Sequence, residues 1–139
     1  MKKLTSFEEH LDKQYGEKRN SIRDKFENDS SAFRLNNMKI EFLAMQDCPN
    51  MSIMWESLQV ALKELHYNQP VDKLDLIALS EKQDKRAGFG SPTILVDGKD
   101  LFGLPFPETS NPSCRYYPNG PPNSEEIIAK LKSVLILPT

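Results

Sequence analysis

Cysteine is the residue type in this chain whose number and setting point to chemistry. There are two, Cys48 and Cys114. Cys48 stands between a short apolar run at 39–45 and a helical pattern at 50–66. The start of a helix exposes backbone N–H groups and the positive end of the dipole, and both favour an anion. A thiolate placed there gains about 0.3–2 kcal/mol. Pro49 suits the first helical turn, where no N–H is needed. Asp47 opposes the thiolate as a neighbouring negative charge. The competing reading is that Cys48 is a small buried hydrophobe, as free cysteines commonly are. A dithiol motif needs its second thiol one turn later, and Met51 occupies that place in Cys48-Pro49-Asn50-Met51. Methionine cannot attack a mixed disulfide. The other thiol is Cys114, 66 residues on, in a proline-rich loop and followed by Arg115, which would favour its thiolate. Either the two thiols meet at one end of a sheet, or Cys114 is an idle loop thiol.

Ser91-Pro92-Thr93 is the third feature. Only about 5–6% of X–Pro bonds in folded proteins are cis. Taken alone, Pro92 is therefore a trans residue that starts a strand, a place proline tolerates. His10 and His66 are isolated, and His66 sits where it would cap a helix C-terminus. Structural zinc needs four ligands, and two cysteines with unplaced histidines do not supply them. The sequence shows no glycine-rich phosphate loop, Ser–His–Asp set or carboxylate pair. Trp55 and the methionines at helical spacing read as core. No cofactor and no metal is expected.

The elements that must position these residues follow from periodicity. Residues 39–45 (Lys-Ile-Glu-Phe-Leu-Ala-Met) predict a strand. Residues 50–66 predict a helix with Met51, Met54, Trp55, Leu58, Leu62 and Leu65 on one face. Residues 74–79 predict a second strand, and Ser80 with Gln83 predicts a capping box opening a short helix that Gly88 ends. The β-branched run 93–96 predicts a third strand. Asp97-Gly98 is a strong hairpin signal, so Leu101-Phe102 should pair back antiparallel. A loop from 103 to 122 holds six of the ten prolines. Asn123 with Glu126 caps a last helix bearing Ile127, Ile128, Leu131, Val134 and Leu135. The order β-α-β-α-β-β-α predicts a four-stranded mixed sheet with flanking helices. Right-handed crossovers would make its first three strands parallel.

The chain changes composition near Met38. Residues 1–37 hold eight Lys/Arg and seven Asp/Glu, one glycine and no proline or cysteine, and read as two short helices. Ser6 with Glu9 opens the first, with Phe7 and Leu11 on one face. Asn20 opens the second, with Ile22, Phe26, Phe33 and Leu35. Residues 38–139 carry all ten prolines and both cysteines. The 139-residue chain has the length of one domain with an appendage, and its net charge of −2 gives no general attraction to nucleic acid. No apolar run is long enough to span a bilayer, and the basic start has no apolar stretch behind it. A soluble, cytoplasmic protein is expected, with its cysteines reduced at rest and with neither nucleic acid nor membrane as partner.

Residues 38–139 resemble the small bacterial thioredoxin-like proteins. The resemblance rests on the strand at 38–45 and Cys48-Pro49-Asn50 after it. It rests equally on Gly90-Ser91-Pro92-Thr93-Ile94-Leu95-Val96-Asp97-Gly98 and Ser113-Cys114-Arg115-Tyr116-Tyr117. Some members of that group are labelled alkylmercury lyase. The resemblance implies a thioredoxin-like fold with Pro92 cis beside Cys48. It implies Cys48 as nucleophile, Cys114 as resolving thiol, and Ser91, Pro92 and Thr93 as the platform for a bound thiol or peptide. Organomercurial lyases place an acid where this chain has Met51, so mercury chemistry would fall to Asp47. A non-catalytic interaction module is the third expectation, and its sign would be a buried, unreactive Cys48. Residues 1–37 resemble the N-terminal extension of helix-turn-helix antitoxin-type regulators, without the DNA-reading helices.

Overall fold

The computed structural model describes residues 31–136. The helix expected at Ser6 and most of the one expected at Asn20 lie outside them. The chain divides between Arg34 and Leu35, and the unit Leu35–Thr139 carries the sheet. Helix α1 (Ser31–Asn36) brings the chain into that unit. Leu35 is fully buried, and the Asn36 amide donates to the His66 carbonyl at 3.0 Å and accepts from the Asn68 N–H at 2.8 Å. Then follow β1 (Ile40–Ala44), α2 (Met51–Glu64), β2 (Asp72–Asp75) and α3 (Leu76–Glu81). A 3-10 segment (Lys85–Phe89), β3 (Thr93–Val96), β4 (Lys99–Asp100) and α4 (Ser124–Ile136) complete the order. Among the described residues no helix is long and apolar enough to cross a membrane.

The four strands form one mixed sheet in the order β2-β1-β3-β4. β1 and β3 are interior and buried on both faces. Side-chain alternation sends Phe42 to one face, where its ring lies 5.1 Å from that of Trp55 in α2. Helix α4 packs against α2 and buries Ile127, Leu131 and Leu135, which recur every four residues. Leu43 and Leu95 point to the other face and pack with Leu76 and Leu79 of α3 and Ala87 and Phe89 of the 3-10 segment.

Three expectations require correction. β1 pairs parallel with β2 but antiparallel with β3, so the first three strands are not all parallel. Leu43 faces Thr93, which places the start of β3 at the end of the sheet where β1 and β2 finish. The reason is the shortness of the connection. Six-residue α3 advances the chain only about 9 Å. Gln83 then turns it at φ +60°, with Gln83 N–H bonded to Ser80 O and Asp84 N–H to Leu79 O. The chain never travels back along the sheet, so it cannot enter it in parallel.

The second correction concerns 74–79. The strand stops at Asp75, whose carboxylate accepts from the Ile77 N–H at 3.3 Å and caps α3. Leu76 and Leu79, three apart, are buried while Ile77 is exposed, so this short apolar run obeys the helical period. The third is that Ser80 and Gln83 close α3 instead of opening a helix. Asp84 caps the 3-10 segment by accepting from the Arg86 N–H, and Gly90, not Gly88, ends it. The Asp97-Gly98 hairpin forms, with both residues at positive φ, but its returning strand begins at Lys99 and does not reach the expected Phe102. Its pairs are Val96 with Lys99 and Leu95 with Asp100, and Leu101 N–H continues the ladder to Ile94 O. The Asn123–Glu126 capping box also forms, with reciprocal bonds of 2.8 and 2.9 Å.

Leu95→Ala should lower stability by about 2–5 kcal/mol, because it opens a cavity between β3 and the Leu43–Leu76–Phe89 cluster. Urea unfolding should show a lower midpoint with an unchanged slope.

Candidate functional site

The site is built around Ser91. The Ser91–Pro92 bond is cis. Each polar group of Ser91 is engaged. Its hydroxyl accepts from the Met45 N–H at 2.8 Å, just past the end of β1. Its carbonyl lies 3.5 Å from the Cys48 sulfur, which donates to it. Its N–H donates to Ser113 O and its carbonyl accepts from Arg115 N–H, both at 2.8 Å, in a parallel bridge that pairs Ser91 with Cys114. The proline-rich loop therefore runs an extended stretch along the residue that touches the first thiol. Through the Ser91 carbonyl, the Cys114 Cα lies within about 9 Å of the Cys48 sulfur.

Local chemistry explains each placement. Cys48 is followed by proline, which disfavours helical geometry at Cys48 itself. It forms a turn instead, donating its N–H to Met45 O and accepting from Met51 N–H. Asn50 is the N-cap of α2, so Pro49 precedes the helix and does not occupy its first turn. Cys48 is 6% exposed, Cys114 is exposed, and no disulfide joins them. The loop reaches Ser91 by lying along the 3-10 segment. Phe106 meets Phe89 edge-on at 5.5 Å, and a side chain at Gly88 would collide with Pro107 and the Thr109 carbonyl. At Gly90, φ +91° and the Arg115 Cβ both exclude a larger residue.

Asp100 and Tyr117, given no role from sequence, fasten this arrangement. The Asp100 side chain is fully buried beside β3. Its carboxylate accepts from Arg115 Nη1 at 2.7 Å and Nη2 at 2.9 Å, and from Leu104 N–H at 2.8 Å. Arg115 Nη1 also donates to Thr93 Oγ1 at 3.0 Å. Burial works against the guanidinium charge, and the Asp100 bonds outweigh it, so Arg115 is held above its ordinary pKa. The expectation that Arg115 serves the Cys114 thiolate is therefore corrected: its charge is committed to Asp100. Tyr117 donates its hydroxyl to Pro92 O at 2.7 Å, and its ring lies 4.8 Å from the Arg115 guanidinium carbon. The sequence signal for Asp100 was a lone carboxylate alternating onto the buried face of an apolar strand pair.

Of Ser91, Pro92 and Thr93, Ser91 is the one that contacts both Cys48 and Cys114, while Pro92 and Thr93 meet Tyr117 and Arg115. All three are buried, and Thr93 is fixed through its hydroxyl to Gly90 O at 2.8 Å. The Ser91 main chain that was to receive a bound thiol or peptide is already paired with residues 113–115 of the same chain. A hollow of about 260 Å³ lined by Phe42, Ala44, Gln46, Met51 and Leu74 opens nearby, and neither thiol lines it. No family model matches this chain, and neither a curated protein nor a solved structure does.

Burial pushes the Tyr117 phenol up to about 12. An unfolded phenol titrates near 10, so the unfolded chain loses this proton first. The Tyr117 contribution to stability is complete below about pH 10 and is lost as pH rises through about 12. Urea unfolding across that window should show a steeper loss in the wild type than in Tyr117→Phe.

Proposed function

We propose that this chain is a thioredoxin-fold thiol protein that carries out thiol–disulfide exchange with Cys48 and Cys114. One observation carries the reading: two cysteines distant in sequence meet at Ser91, the residue before a cis proline, Cys48 through its sulfur and Cys114 through its main chain. A disulfide needs Cα atoms within about 7 Å. The bridge to Ser91 holds the Cys114 Cα within about 9 Å of the Cys48 sulfur, so the loop must move toward Cys48 for the bond to form. The pairing takes the place of the neighbouring thiol of a dithiol motif, whose position holds Met51. Met51 also stands where organomercurial chemistry requires an acid, which makes redox exchange the preferred use of the two sulfurs.

Mild oxidant should produce one intrachain Cys48–Cys114 disulfide, seen by peptide mapping as the loss of both free thiols. Cys48→Ser should abolish it, and Cys114→Ser should leave Cys48 as a single thiol. Two thiols that are modified independently, with no disulfide, would leave an interaction module in place of a redox protein.

A further inference from the structure

We infer that Cys114, and not Cys48, is the thiol that attacks the substrate disulfide, with Cys48 as the resolving thiol. This rests on the proposed exchange activity and reverses the roles that the family resemblance implies. Four observations lead to it.

First, Cys114 is exposed whereas Cys48 is 6% exposed, and a sulfur must be reached from outside to attack a substrate. A buried sulfur has no such handicap in the second step, which is internal. Second, the Cys48 sulfur is engaged with the main chain, donating to the Ser91 carbonyl at 3.5 Å, so it is turned inward and away from an incoming substrate. Third, the bridge engages Ser113 O and Arg115 N–H, so the Cys114 N–H and carbonyl point to the side away from Ser91. The exposed thiol thus sits on a short outward-facing edge that an extended chain can pair with, whereas the Ser91 edge beside Cys48 is already covered. Fourth, the bidentate Arg115–Asp100 pair holds the backbone next to Cys114, which keeps the Cys114 Cα within about 9 Å of the Cys48 sulfur.

The exchange balances with a disulfide as the only co-reactant. The Cys114 thiolate attacks one sulfur of R–S–S–R. A Cys114–S–S–R bond forms, the substrate bond breaks, and the first RS⁻ leaves and takes up the proton given up by Cys114. Cys48 then leaves its hydrogen bond to the Ser91 carbonyl, gives its thiol proton to solvent and attacks the Cys114 sulfur. The Cys48–Cys114 bond forms and the second RS⁻ leaves, protonated from solvent. Two protein thiols are oxidised and one disulfide is reduced to two thiols.

The wild-type chain, given a brief pulse of iodoacetamide and then mapped by mass spectrometry, should carry its first label on Cys114. First labelling of Cys48 would overturn the assignment, and no variant is needed to see it. With 5,5′-dithiobis(2-nitrobenzoate), the wild type should release two thionitrobenzoates per chain and end as the intrachain disulfide. Cys48→Ser should keep the fast phase, release one, and retain the adduct on Cys114. Cys114→Ser should lose the fast phase. A fast phase lost in Cys48→Ser and kept in Cys114→Ser would overturn the order while leaving the exchange activity intact. A wild type that ends with two separate adducts would instead overturn the exchange activity and the assignment with it. A peptide disulfide and oxidised glutathione, run side by side, should both form their first adduct on Cys114. A first adduct on Cys48 with either would contradict the assignment.

Discussion

A carboxylate removed from water must be fully paired, and the arrangement around the two thiols depends on that constraint at Asp100. Its side chain has no exposed surface. An unpaired charge there would cost several kcal/mol. Arg115 and the Leu104 N–H satisfy it, and both belong to the segment that follows β4. The loop between the hairpin and α4 is therefore fixed at two points by one residue. The pair need not raise net stability over an apolar substitute. Its consequence is positional, because the pair ties Arg115, and with it the loop, to β4.

The loop so tied carries residues 113–115 alongside Ser91. Ser91 in turn links three parts of the chain: the end of β1 through its hydroxyl, Cys48 through its carbonyl, and the loop through its main chain. Tyr117 adds a bond to Pro92 O, and Thr93 joins Arg115 to Gly90. The proposed dithiol pair is thus assembled from long-range main-chain contacts, whereas a local motif would place both thiols on one helix. A chain built in this way separates the thiols by exposure, with one sulfur covered and one open. The proposed division of roles between them uses that difference.

The sequence made some of this legible and concealed the rest for physical reasons. The hairpin at Asp97-Gly98 and the box at Asn123 and Glu126 were readable because their chemistry is local. The interior strands were readable from continuous apolar runs. Residues 74–79 read as a strand because a short, mostly apolar run suits a buried strand as well as a helix until Asp75 is recognised as a cap. The direction of β3 followed from how little chain separates it from β2, which the order of elements does not encode. Cys48, Ser91 and Cys114 stand out in the sequence as residue types, and the structure brings them together at Ser91. Asp100 does not stand out, because its meaning depends on Arg115 arriving from fifteen residues away.

Native-state amide hydrogen exchange at Ser91 and Arg115 tests the central claim, that the Asp100–Arg115 pair pins the loop to Ser91. Both N–H groups should exchange slowly, alongside those of β3, and in Asp100→Asn the protection of Arg115 should be lost while β3 keeps its own. Rapid exchange at Arg115 in the wild type, or protection unchanged in Asp100→Asn, would contradict the account.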